Sequence, residues 1–187
     1  MRKKEVFINM ENEIFRGNLL DIGLENTGIV YNIYKEFNHG INIEYISGEE
    51  EKERIKEGYY DLCILLFSFN KIRSRFKKRA IIEQIHKYLN DDGMLYIWDI
   101  DKRPGRIFNG DIKILIPGKK LKVIKIRDFN ITGDDSKENT VNIVSKYFDM
   151  EEYNFTEDIY YIKARNKCKK EESKQEELKE VSITEDV

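Results

Sequence analysis

Residues 18–28 read NLLDIGLENTG. A short apolar run ends in glycine, and the helix-like IVYNIYKEFN (29–38) follows directly. The pattern predicts a buried strand over 18–24 that turns through a glycine loop into a helix. Such a turn presents backbone N–H groups to a ligand at the helix start. Against the dinucleotide pattern G-x-G-x-x-G, Gly23 and Gly28 match and Glu25 stands at the middle glycine. Backbone must approach a pyrophosphate at that middle position, and a carboxylate there repels phosphates. The loop therefore points away from NAD and FAD and toward a ligand without phosphates.

Working outward, short apolar runs alternate with helix-like segments. Asn26 or Thr27 is placed to cap the helix over 29–38, whose face carries Ile29, Ile33 and Phe37, and His39-Gly40 ends it. INIEYIS (41–47) reads as a second strand, and GEEEKERIKEG (48–58) as a short charged helix or turn. YDLCILLF (60–67) is nearly continuous in apolar residues, as a parallel strand buried on both faces requires. A helix is predicted over 72–90, with Ile72, Phe76, Ile81, Ile85 and Leu89 as its apolar face. NDDG (90–93) closes it, and MLYIWDI (94–100) is the next buried strand. Residues 101–120 hold both prolines and read as irregular, and LKVIKIRDF (121–129) reads as a strand. A turn and a helix with Val141, Val144 and Phe148 on one face follow, then a last strand or hairpin over 153–165. Alternating strands and helices imply an α/β sheet with right-handed crossovers. Ligands of such sheets sit at the carboxyl ends of the strands, which puts the site at the loop after LLDIGL.

The chain has 187 residues, of which 40% are hydrophobic and 36% charged. This allows one domain with a sizeable core and a heavily solvated surface. No leader and no membrane-length apolar run is expected, and the two cysteines, Cys63 and Cys168, do not form a disulfide framework. The expectation is a reducing, cytoplasmic setting. From Asn166 onward five Lys/Arg face seven Asp/Glu without an apolar face, which predicts a disordered or lone solvated tail over 166–187. The body, 1–165, carries 28 charges of each sign, but they are segregated. KIRSRFKKR (71–79) holds six basic residues and no acid, and DKRPGR and GKKLKVIKIR are also basic. Such segregation either steers a charged partner or simply solvates helix and strand faces.

Beyond the loop, several segments together resemble the class I S-adenosylmethionine-dependent methyltransferases. That family opens with an acid-x-Gly-x-Gly-x-Gly loop after its first strand, and LLDIGLENTG supplies Asp21 and Gly23 in that pattern. Glu25 and Thr27 replace the second and third glycines, with Gly28 displaced by one. GYYDLCILLFSFNKI is similar to the family's fourth-strand segment, IIEQIHKYLNDDGMLYIWDI to its following helix and fifth strand, and KYFDMEEYNFTEDIYYIKAR to its closing hairpin. The resemblance covers about 17–165, except for an insertion near 101–130. It implies a three-layer, Rossmann-like sheet, mostly parallel with an antiparallel C-terminal hairpin. Only INIEYIS…GEEEKERIKEG fits where the family has two strand–helix units, so the sheet is expected to be one unit short.

By this resemblance S-adenosylmethionine is the cofactor, bound by Asp21, Gly23, Glu25 and Gly28, with Asp21 and Gly23 near its methionine part. ISGEE places Ser47 and Glu49 at the ribose if INIEYIS is the second strand, and at the adenine if it is the third. Phe67, Ser68, Phe69 and Asn70 would lie near the methyl group. Methyl transfer is an in-line displacement at a sulfonium carbon, so alignment and shielding matter more than a catalytic triad. No N-P-P-aromatic signature follows the strand at 60–67, which argues against base-methylating amino-methyltransferases. Asp99 and Asp101 share a face at a strand end, where they either orient an acceptor or are solvated acids. His39 and His86 read as a helix-end and a helix-surface residue, so no zinc site is expected. Arg75 and Lys78 stand in a basic rim on the acceptor side, which suits an anionic acceptor such as RNA, a nucleotide or an acidic metabolite. Two functions follow: a methyltransferase for such an acceptor, or a methyltransferase-like binding module that no longer catalyses.

Overall fold

The computed structural model describes residues 3–23, 28–38, 43–46 (backbone only), 55–156 and 158–168. Among the described residues there are two sheets and three α-helices. The larger sheet contains β2 (Leu19–Ile22), β3 (Ile43–Ile46), β4 (Tyr60–Leu66), β5 (Leu89–Ile100), β8 (Phe148–Phe155) and β9 (Ile159–Asn166). Their order is β3-β2-β4-β5-β9-β8. β2 runs parallel to β3 and β4, and β4 parallel to β5, whereas β9 is antiparallel to both β5 and β8. The helices are α1 (Ile29–Phe37), α2 (Arg75–Tyr88) and α3 (Lys137–Val144). A smaller sheet, in the order β1-β6-β7, joins β1 (Lys4–Asn9), β6 (Phe108–Ile116) and β7 (Lys120–Asp128).

Side chains alternate across the large sheet, so each strand feeds two cores. Leu19, Leu62, Ile64, Trp98 and Ile100 pack with α1 and with Ile112, Ile114 and Ile124 of the small sheet. Leu20, Ile22, Cys63, Leu65, Leu95 and Ile97 pack on the other face with Ile82 and Ile85 of α2 and Ile143 and Val144 of α3. Leu62, Cys63, Ile64 and Leu65 are all buried, which accounts for the continuous apolar run of β4. Among the described residues no helix is long and apolar enough to cross a membrane.

Several expectations are corrected. Residues 108–116 are a regular strand rather than part of an irregular region, with Ile112, Ile114 and Ile116 facing inward. One outer layer is thus α1 plus a sheet, and that sheet is completed by KEVFIN at the start of the chain. α2 begins at Arg75, so Phe76 lies in its first turn, 79% exposed, and the buried face is Lys78, Ile82, Ile85 and His86. His86 is not a surface residue: its Nδ1 lies 2.7 Å from Asn166 Oδ1, and its ring packs on Tyr147 and Phe148. α1 starts after Gly28, which is its N-cap at φ 64°, a left-handed conformation that glycine adopts without strain. Asn26 and Thr27, the expected caps, lie outside the described residues.

Candidate functional site

The carboxyl ends of the parallel strands β2, β4 and β5 lie along one edge of the sheet. After β2 comes Gly23, and α1 begins after Gly28. Asp21 sits opposite Tyr45 of β3 and Ile64 of β4. Its half-buried carboxylate has no hydrogen bond or ion pair among the described residues. Burial therefore pushes it up to about 7 from an ordinary 3.8. A desolvated, uncompensated carboxylate at a strand end is chemically a receptor for a cationic group.

The ends of the three strands are tied by hydrogen bonds. Phe67 follows β4 at φ 50°, a strained value for a non-glycine residue, and its N–H donates to Trp98 O at 2.8 Å. Ser68 Oγ donates to Ile22 O at 2.8 Å, joining the end of β4 to that of β2. A short 3₁₀ turn, Phe69–Lys71, follows. Within it Asn70 donates from its backbone N–H to Asp99 Oδ2 at 2.8 Å and from Nδ2 to Asp99 Oδ1 at 2.5 Å. The N–H of Ile100 donates to the same Oδ1 at 2.7 Å. Asp99 is wholly buried, and burial raises it to about 6 although these three donors pull it down.

Substituting Asn70 by alanine is expected to destabilise the fold by about 2 kcal/mol at pH 8, because a charge-assisted hydrogen bond is lost. The loss shrinks at pH 5, where Asp99 is protonated in the folded state. Urea denaturation at the two pH values measures this, and equal losses at both would contradict the assignment.

The structure thus brings Asp21, Gly23, Gly28, Phe67, Ser68, Asn70, Asp99 and Asp101 to one edge, with differing availability. The Phe67 ring is in the core and the Ser68 hydroxyl is engaged, so backbone rather than side chains is what they offer a ligand. Asp99 positions Asn70 and is not a solvated strand end. Asp101 accepts from the N–H of Lys137 at 3.1 Å and pairs with its ammonium at 3.4 Å. Arg75 is exposed at the start of α2. Lys78 is not part of an exposed rim: it is buried and paired with Asp135. Glu25, Ser47 and Glu49 lie outside the described residues.

Sequence reasoning missed a buried charge cluster behind this edge. Lys102, just after β5, is 1% exposed at its side chain, and its Nζ reaches Asp135 Oδ2 at 3.1 Å and Asp128 Oδ2 at 3.3 Å. It also donates to the carbonyls of Asn130 at 2.9 Å and Gly133 at 3.0 Å. Lys78 takes the other oxygen of Asp135. Two cations and two carboxylates therefore clamp α2, the segment after β5 and the segment after β7 together. Beside them opens a cleft of about 580 Å³, lined by Lys4, Asp101, Arg103, Arg106, Phe108 and Asp158 among others.

Neither a family model nor a curated protein sequence matches the chain. Solved structures do. A 1,6-didemethyltoxoflavin-N1-methyltransferase of Burkholderia thailandensis, with bound 1,6-didemethyltoxoflavin and S-adenosylhomocysteine, superposes with a TM-score of 0.56 at 10% identity, over 81% of this chain and 72% of that one. An S-adenosylmethionine-dependent methyltransferase of Clostridium acetobutylicum gives 0.55 at 8% identity, over 80% and 84%. The cyclase SpnF gives 0.54 at 8% identity, over 84% and 78%. The chain has a class I methyltransferase-like α/β fold.

Proposed function

We propose that this chain binds S-adenosylmethionine at the loop between β2 and α1 and transfers its methyl group to an anionic acceptor. The observation that carries the proposal is Asp21. Its carboxylate is desolvated, unpaired among the described residues and two positions before Gly23. S-adenosylmethionine brings an ammonium and a sulfonium, so it supplies the positive charge this carboxylate lacks. Glu49 is the proposed partner of the ribose or adenine. Backbone groups at 67–70 are the proposed wall beside the methyl group, held in place by Ser68 and Asp99. No side chain need act as a strong base if the acceptor is already nucleophilic.

A second reading is a module with this fold that binds a partner without catalysis. It is favoured by the described residues placing one strand, β3, outside β2, and by the engagement of Phe67 and Ser68 in the fold itself. The presence of a cyclase among the structural neighbours underlines that the fold alone does not fix the reaction.

Calorimetry with S-adenosylmethionine and S-adenosylhomocysteine separates the readings. Micromolar binding that Gly23→Val removes is expected, because a branched side chain two positions after Asp21 crowds the ligand proposed there. Absence of binding up to about 1 mM, an affinity near 4 kcal/mol, would sink the enzyme reading.

A further inference from the structure

We infer that the edge formed by α2 and the segments after β5 and β7 binds single-stranded nucleic acid. Arg73, Arg75, Lys77 and Arg79 are exposed and have no ion pair or hydrogen bond from their side chains among the described residues. The same holds for Arg106. Elsewhere on the body many cations are matched, Lys3 and Arg127 with Asp111, Lys113 with Glu5, Lys163 and Arg165 with Glu151, while Arg16, Lys119, Lys120 and Lys125 are exposed without such a partner among the described residues. What sets the α2 edge apart is density: four unmatched cations fall within residues 73–79.

Their placement also opposes local stability. The first turn of α2 contains no acid, yet Arg75 and Lys77 stand where the helix dipole is positive. Acids there would stabilise the helix, whereas these cations weaken it by a few tenths of a kcal/mol each. A sequence that breaks a local rule without internal compensation points to an external partner, here a polyanion.

Apolar groups set among the cations narrow the class. Phe76 is 79% exposed within the arginine run, and Phe129 and Ile131 are 61% and 58% exposed on the segment after β7. That segment lies against the arginine-bearing one, since the N–H of Gly105 donates to Ile131 O at 2.7 Å. It is tied to α2 through Asp135, which holds both Lys78 and Lys102. Exposed rings between unpaired arginines suit bases that are free to stack, and a closed duplex hides those faces. This rests on the anionic-acceptor reading above and sharpens it to a polymer.

Fluorescence anisotropy without cofactor, using a labelled 12-nucleotide single-stranded RNA, tests the inference separately from calorimetry. DNA of the same sequence, its duplex and heparin retention are the comparison arms. Single strands of either sugar are expected to bind with a log–log salt slope of about −3. Phe76→Ala should weaken that binding about 10-fold and leave heparin retention unchanged. Arg73→Glu, Arg75→Glu and Arg79→Glu together should abolish both. The melting temperature of Phe76→Ala reports whether folding is intact, and its ring touches no core. The inference is overturned if Phe76→Ala leaves RNA affinity unchanged, if the duplex binds as tightly as the single strand, or if the charge reversal has no effect.

Discussion

Lys102→Ala is expected to lower the unfolding free energy by about 3–5 kcal/mol. The ammonium is enclosed by two carboxylates and two carbonyl oxygens. Removing it leaves the Asp128 carboxylate and both carbonyls without this donor, inside a region that water reaches poorly. Asp135 retains Lys78, so the cluster is damaged rather than erased. The carboxylates were desolvated on folding in exchange for this cation, and breaking one partner leaves the desolvation uncompensated. Lys102→Met, which keeps the volume, should cost nearly as much, which separates charge from packing. Arg106→Ala, a few residues away on the surface, should change stability by less than about 0.5 kcal/mol. Guanidinium denaturation of the three variants decides the matter. A Lys102→Ala loss as small as that of Arg106→Ala would mean that the cluster contributes no net stability.

The same residue shows where sequence ceases to be readable. β4 was legible because YDLCILLF states its burial within eight residues, and β5 because MLYIWDI does the same. Asp21 and Gly23 were legible because a strand, an acid and a glycine follow one another without interruption. Lys102 and Lys78 read as exposed members of basic runs, since nothing near them in the chain says otherwise. What buries them is Asp135, which lies 33 and 57 positions away, so their burial depends on folding rather than on spacing. His86 repeats the case, because its partner Asn166 is on β9. β6 was hidden differently. Pro104, Gly105, Pro117 and Gly118 bracket it and suggested a loop, although Ile112, Ile114 and Ile116 alternate as a strand should. Its neighbour β1 pairs Lys4 with Gly110, a separation that no local pattern conveys. Phe76 fell on the apolar side of a periodicity that began too early. With the helix starting at Arg75, it lies in the first turn and its ring is exposed.

Asp21→Asn is expected to raise stability at pH 8 while weakening cofactor binding, a pairing that a purely structural aspartate would not give. The folded-state value, about 7, lies above the ordinary 3.8. Between these values the folded protein holds a proton that the unfolded chain has released, so stability falls as pH rises through the window. Above pH 7 the folded state carries an unpaired, desolvated carboxylate. The full rise corresponds to about 4 kcal/mol, and partial solvent access reduces the expected gain from asparagine to about 2 kcal/mol. At pH 4 the two proteins should melt together, because the wild-type carboxyl is already neutral. Binding should show the opposite sign. If the positive groups of S-adenosylmethionine meet Asp21, the wild-type affinity increases between pH 5.5 and pH 8 as the carboxylate forms, by about 10-fold. The asparagine variant should lose that dependence and bind about 10-fold more weakly at pH 8. S-adenosylhomocysteine, which keeps the ammonium but lacks the sulfonium charge, distinguishes which group Asp21 faces: an equal loss for both ligands assigns the ammonium, and a loss confined to S-adenosylmethionine assigns the sulfonium. An affinity independent of pH and of the substitution would place the cofactor elsewhere. The stability gain alone would then describe a carboxylate that the fold tolerates without a cationic ligand.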